Sequence, residues 1–190
     1  EVPGPDGRFN VLVFGGSQGA RYFSDTVPVA LGALPADLLP RISVVQQARD
    51  EDVERVRSAY AQLGIAAEVA PFFKDLPERM AASHLVIGRA GASTVAELTV
   101  IGRPSLLVPL PHALDNDQLN NARRLALTRG RWFIEQKDLT AERLSGEVTR
   151  LLKDPQVLAA AAAAAKTAGR PDAVVRLADF VLALAGKARA

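Results

Sequence analysis

Apolar residues fall along this chain in two ways: as short unbroken runs, and as longer stretches in which they recur every three or four positions. Val11-Leu12-Val13-Phe14 and Leu85-Val86-Ile87 are runs of the first kind. A short segment that is apolar at every position fits a strand buried on both faces, whereas the wider spacing fits a helix with one face on a core. The pattern predicts strands near 9–14, 42–46, 66–70, 84–87, 105–108 and 131–134, and helices near 19–33, 50–63, 75–82, 93–102, 116–128 and 140–153. Strands alternating with helices mean an α/β fold, a doubly wound parallel six-stranded sheet of Rossmann-like form. Such a sheet takes the strand order 3-2-1-4-5-6, which sets strand 1 beside strand 4 and opens a crevice between their carboxyl ends.

Local signals refine the boundaries. Asp50 is expected to cap the second helix and Gly64 to end it; Gly102-Arg103-Pro104 stops the helix before strand 5. Pro28 lies inside the first helical pattern, where a kink or early break is expected. After Asp154-Pro155 only helix remains: an alanine-rich stretch over 158–165, then a last helix from Pro171-Asp172 with Val174, Leu177, Ala178, Val181, Leu182 and Ala185 on one face. That face is expected to pack on this domain or on a neighbour. The opening Glu1-Val2-Pro3-Gly4-Pro5-Asp6-Gly7 reads as linker, as in a piece of a longer polypeptide. The expected organisation is a linker remnant over 1–8, a Rossmann-like domain over 9–154, and a helical appendage of the same domain over 155–190.

The candidate chemistry sits at two glycine-bearing turns, each directly after a buried strand. The first is Gly15-Gly16-Ser17-Gln18-Gly19-Ala20, after strand 1; the second is Gly88-Arg89-Ala90-Gly91-Ala92-Ser93-Thr94, after strand 4. A helix beginning there leaves its first N–H groups unpaired, and glycine lets an anion approach them. Because strands 1 and 4 are neighbours, the two turns face one crevice and one ligand.

Composition narrows the choice. With 190 residues, 48% hydrophobic and 23% charged, the chain can bury a full core. A formal net charge of +2, without interleaved aromatic and basic residues, argues against a nucleic-acid partner. There is no cysteine, which excludes disulfides and cysteine-rich metal sites. No apolar run approaches the ~18 residues of a spanning helix, and no signal-peptide pattern is visible.

A dinucleotide fits poorly: the fingerprint starting at Gly15 has Ser17 at its second glycine, and strand 2 ends in Gln46-Gln47 where a ribose-binding acid is usual. Neither turn continues into the Gly-Lys-Ser/Thr of a P-loop. What remains is a diphosphate ligand, with or without one nucleoside. Glu97 suits a ribose, since a carboxylate accepts from two vicinal hydroxyls; Thr94-x-x-Glu97 is also a capping-box pattern. Asp115-x-Asp117 allows a metal-binding reading, but at a helix start Asp115 is a natural N-cap with Asp117 in the first turn. Helix N-termini supply positive potential, so no metal and no other cofactor is expected. Gln118 and Asn121 suit sugar hydroxyls or a solvated face. Arg89 pairs with phosphate or with a structural acid; His84 reads as structural and His112 as a surface-loop residue. No complete catalytic set is present, and the catalytic residue is left unknown.

At Gly15 to Ala20, Arg89 to Glu97, Pro109 to Ala122 and Pro171-Asp172-Ala173, the chain resembles the carboxyl-terminal half of the bacterial undecaprenyl-diphospho-muramoylpentapeptide beta-N-acetylglucosaminyltransferase (MurG) family. The resemblance covers essentially all 190 residues. It implies the carboxyl-terminal, UDP-sugar-binding domain of a GT-B enzyme that transfers N-acetylglucosamine from UDP-GlcNAc, with inversion, to a lipid-linked muramoyl-pentapeptide. It also implies work at the cytoplasmic face of the inner membrane as a peripheral protein, in peptidoglycan synthesis and hence in cell shape and division. Carried over by position, Glu97 takes the ribose hydroxyls, and Phe72 and Phe73 flank the uracil. Ser17 with Ala92, Ser93 and Thr94 holds the diphosphate, and Gln118 contacts the sugar. Asp117 and Phe73 depart from the residues usual in that family. The family's acceptor-binding and proposed base residues lie in the amino-terminal half, outside this chain. A stand-alone donor subunit of a two-chain transferase, or a non-catalytic nucleotide-binding module, is the alternative.

Overall fold

The computed structural model describes residues 7–112, 114–126 and 131–187. The strands β1 (Phe9–Phe14), β2 (Ile42–Gln47), β3 (Ala66–Ala70), β4 (Leu85–Gly88), β5 (Ser105–Leu107) and β6 (Arg131–Phe133) form one sheet in the order β3-β2-β1-β4-β5-β6. Every pairing is parallel. The strand order, and with it the switch point between β1 and β4, is the one expected. Between the strands run α1 (Gly16–Gly32), α2 (Val53–Gln62), α3 (Leu76–Ala82), α4 (Ala92–Ile101) and α5 (Asp117–Ala126). After them come α6 (Ala141–Lys153), α7 (Pro155–Thr167) and α8 (Ala173–Lys187).

Period-two alternation splits the strand side chains between two cores. Phe9, Val11 and Val13 join Phe23 and Leu31 of α1, Tyr60 of α2 and Leu144 and Val148 of α6. Leu12, Phe14 and Val86 meet Met80 of α3, Leu98 of α4 and Leu125 of α5 on the other face. Both faces of β1 and β4 are thereby covered, which fixes where their carboxyl ends emerge.

Three boundary expectations change. Pro28 does not break α1, which continues to Gly32. Its missing N–H leaves the Ser24 carbonyl without a helical donor, and Arg55 Nη1 donates to that carbonyl at 3.4 Å. Asp50 does not cap α2: a 3₁₀ turn over Asp50–Asp52 precedes it. The residue at the cap, Asp52, is buried and gives its carboxylate to Arg55 at 2.7 Å rather than to helix amides. Asp115 does not cap α5 either. Its backbone has φ 53°, and Asp117 Oδ1 instead accepts from the Gln118 N–H at 2.7 Å. As expected, Gly64 (φ 68°) and Gly102 (φ 77°) follow the ends of α2 and α4.

The alanine-rich helix α7 lies against α4 and α6 and buries Leu158, Ala161 and Ala165. The approach is close: a Cβ on Gly169 would stand 2.8 Å from the Thr99 carbonyl oxygen, so glycine is required there. By contrast residues 173–186 of α8 are all exposed. Val174, Leu177, Phe180 and Leu182 are 80, 63, 62 and 69% exposed. No described helix is long and apolar enough to cross a membrane.

Candidate functional site

At the carboxyl ends of β1 and β4 the structure opens a cleft of about 330 Å³, lined by Phe14, Gly15, Gly16, Gln47, Phe72, Phe73, Leu76, Arg89, Gly91, Thr94 and Gln118. The two glycine turns form its walls, and the amino-terminal ends of α1 and α4 face into it. Gly16 has φ +64°, a conformation that strains any residue with a side chain. Gly91 has φ −62°, open to any residue, and a Cβ there would meet only Thr94 Oγ1 at 3.9 Å. Gly91 therefore keeps space clear without being needed for the turn.

Of the residues expected at the site, Gly15, Gly16, Phe72, Phe73, Arg89, Gly91, Thr94 and Gln118 line the cleft. Ala92 and Ser93 are exposed beside it, at the first positions of α4. The backbone of Ser17 and Gly19 lies in the first turn of α1; the Ser17 side chain and Gly19's surroundings fall outside the described residues.

Glu97 is not among the residues that line the cleft; it stands one helical turn behind Thr94 on α4, and its Cα–Cβ bond tilts toward the helix amino terminus. The capping box does not form: α4 starts at Ala92, its N-cap is Gly91, and no side chain caps it. Glu97 is half-buried and, among the described residues, has no hydrogen bond or ion pair. Its carboxylate is left with no structural partner among the described residues, one turn from the lining residue Thr94.

Arg89 answers differently. It is only 6% exposed, and its Nη1 donates to the carbonyls of Val108 at 3.0 Å and Pro109 at 3.2 Å, its Nη2 to Gln136 Oε1 at 2.7 Å. The guanidinium is not directed at a phosphate, and among the described residues it has no partner acid; the side chain ties the second turn to the ends of β5 and β6. Tyr22 and Phe23 of α1 lie within 5.4 and 5.0 Å of its centre. Burial lowers its pKa to about 10, so it stays charged at neutral pH. An uncompensated cation thus lies in the cleft lining and adds to the positive ends of α1 and α4.

Two glutamines organise the turns. Gln118 Oε1 accepts from Ala90 N–H at 3.2 Å and Leu110 N–H at 3.0 Å, and Asn121 Nδ2 donates to the Ala90 carbonyl at 3.1 Å. Two backbone donors fix the orientation of the Gln118 amide, leaving Nε2 as its free group. The solvated-face reading of these residues does not hold, since both pin the second turn to α5. Gln47 makes matching bonds at the first turn: Oε1 accepts from Gly15 N–H at 3.3 Å and Gly16 N–H at 3.1 Å. Sequence reasoning noticed Gln47 only as a missing acid. The available signal was a polar residue ending a strand directly beside a glycine turn.

Phe72 and Phe73 are not an equivalent pair. Phe72 projects at the rim, 69% exposed, while Phe73 is 9% exposed beneath the Arg79 guanidinium, 4.3 Å from its ring centre. Arg79 is held by Glu68 at 2.7 Å and Asp75 at 2.8 Å. His112 is exposed with φ 58°, in the same loop as Asp115 and Asn116 at φ 53°. No group of three or more His, Cys, Asp or Glu capable of holding a metal occurs among the described residues.

The chain is similar to known proteins over nearly its whole length. It is 57% identical over 186 residues to the UDP-N-acetylglucosamine--N-acetylmuramyl-(pentapeptide) pyrophosphoryl-undecaprenol N-acetylglucosamine transferase of Rhodospirillum centenum, covering 98% of this chain and 49% of that one. It is 58% identical over 175 residues to the protein of the same description from Rhodopseudomonas palustris, covering 92% and 48%. The crystal structure of Acinetobacter baumannii MurG superimposes with a TM-score of 0.84 at 30% identity, over 93% of this chain and 52% of that one. The chain therefore spans about half the length of the relatives it matches. Residues 10–177 match the Glycosyltransferase family 28 C-terminal domain, and this chain belongs to that family.

Proposed function

We propose that the chain is the donor-binding half of an inverting, metal-independent N-acetylglucosaminyltransferase, taking UDP-GlcNAc for transfer to a lipid-linked muramoyl-pentapeptide in peptidoglycan synthesis. The observation that carries this is the cleft at the switch point, flanked by two helix N-termini and lined by a buried cation that has no acid partner among the described residues. That electrostatic setting suits a diphosphate, and the donor is taken from the names of relatives more than half identical to this chain. In this reading the diphosphate lies between the Gly15-Gly16 turn and the Gly91-to-Thr94 turn. The ribose reaches Glu97, the uracil lies by Phe72 and Phe73, and the sugar lies toward the free amide of Gln118.

The chemistry assigned to this half is departure of UDP. An acceptor hydroxyl attacks the anomeric carbon from the opposite side, the carbon–oxygen bond to the β-phosphate breaks, and the electron pair passes to that phosphate. Fixed N–H dipoles stabilise the charge that develops there without reorganising, and the buried Arg89 charge, whose own donors are used within the fold, adds only a background positive potential. The hydroxyl proton goes to a base on the amino-terminal half, which also binds the acceptor and brings the enzyme peripherally to the cytoplasmic face of the inner membrane. Calorimetry in excess EDTA with UDP-GlcNAc, UDP-glucose, UDP and NAD tests the reading. UDP and UDP-GlcNAc are expected to bind and NAD not to. Binding that vanishes with EDTA and returns with Mn²⁺ refutes the metal-independent part.

A further inference from the structure

The carboxyl end of β2 carries two glutamines that strand alternation sends to opposite faces. Gln46 is fully buried and accepts from the Tyr60 hydroxyl. Gln47 turns to the cleft, where its Oε1 holds the amides of Gly15 and Gly16 and its Nε2 donates to the Pro71 carbonyl at 3.1 Å. Donors at one end and an acceptor at the other permit a single amide orientation. The geometry matters because β2 separates β1 from β3 in the sheet. Past the strand ends no ladder hydrogen bond joins the first glycine turn to the loop after β3. Among the described residues, the Gln47 side chain makes that connection, reaching the residue just before Phe72 and Phe73.

We propose that Gln47 is a positioning residue that sets the distance between the phosphate turn and the base-side loop, so that both ends of a nucleoside diphosphate are gripped at once. The proposal rests on the donor-cleft reading above. A ligand held at two subsites gains from the second contact only when the subsites stand at the ligand's own spacing; otherwise ordering them offsets the gain. Gln47 makes that spacing a property of the unliganded protein. The opposite role, a plug occupying amides that the diphosphate needs, predicts the opposite sign for phosphate binding.

The test is calorimetry on the chain and on Gln47→Met and Gln47→Asn, with UDP, uridine and inorganic pyrophosphate as probes. Methionine keeps the length and loses the amide; asparagine keeps the amide but is too short to span. UDP is expected to weaken about tenfold in both variants, equivalent to ~1.4 kcal/mol. Uridine and pyrophosphate each use one end and are expected to stay within about twofold of the parent. Equal weakening of the single-ended probes would mean local damage to a subsite and overturns the proposal, as does unchanged UDP affinity. Tighter pyrophosphate binding overturns it in favour of the plug. Thermal unfolding checks both variants, and if one does not fold the other carries the measurement. A parent chain that fails to bind UDP overturns the donor reading and this proposal together; a parent that binds, with variants that match it, overturns this proposal alone.

Discussion

Replacing Glu97 by alanine separates binding from folding at this site. In the structure Glu97 gives nothing to the fold that alanine would remove: it has no hydrogen bond or ion pair among the described residues, and α4 is capped at Gly91 instead. Alanine also has the highest helix propensity, so unfolding free energy is expected to change by no more than about 0.5 kcal/mol. The loss on the ligand side is much larger. A carboxylate accepting from the ribose hydroxyls makes charge-assisted bonds worth roughly 1.5–3 kcal/mol in total, a drop of about 10- to 150-fold in UDP affinity. Calorimetry with UDP measures the loss, and thermal denaturation verifies the fold. Pairing the variant with 2′-deoxy-UDP makes the inference sharper. If Glu97 binds that hydroxyl, removing it weakens binding to the parent but little further to the variant, since the two deletions share one interaction. A folded variant with unchanged affinity, or losses that simply add, would refute the ribose assignment.

Arg89→Met is expected to destabilise the chain by roughly 2–4 kcal/mol, because it leaves the Val108 and Pro109 carbonyls and the Gln136 amide without their buried donor. Urea denaturation reads this, and Arg89→Lys should restore only part of it, lacking the planar fork. The His84 imidazole is held below its ordinary pKa by burial and by the Arg103 charge, with Nδ1 accepting from the Asn10 N–H at 2.9 Å. The unfolded chain then binds the proton more readily than the folded one. Stability is retained above the unfolded value of about 6.5 and falls as the pH drops below it. Melting temperature between pH 7 and 5 should therefore decline less in His84→Asn, which keeps an acceptor but does not titrate. Finally, the chain alone is expected to bind UDP-GlcNAc without transferring the sugar, turnover returning when an amino-terminal half is added. Labelled UDP-GlcNAc with lipid-linked acceptor measures this, and robust turnover by the chain alone would place the base within these 190 residues.

The order of elements, the parallel sheet, the switch point and the two turns are legible in the residue pattern. These follow from local quantities: runs of apolar residues, helical spacing, glycines at strand ends, and a strand-order rule that turns distance along the chain into neighbourhood in space. The positive φ of Gly16 is likewise local, a property of one residue. Where each polar side chain goes was decided only by tertiary structure. Arg89 finds its acceptors at Val108, Pro109 and Gln136, and Gln118 its donors at Ala90 and Leu110. Gln47 joins Gly15 and Gly16 to Pro71. The capping box at Thr94 and Glu97 and the cap at Asp115 failed for a related reason: the backbone put the helix start at Gly91 in one case and a left-handed residue at Asp115 in the other. Hydrogen bonds between residues tens of positions apart leave no periodicity in the chain, because their partners are chosen by the packing of the sheet and not by spacing along the sequence.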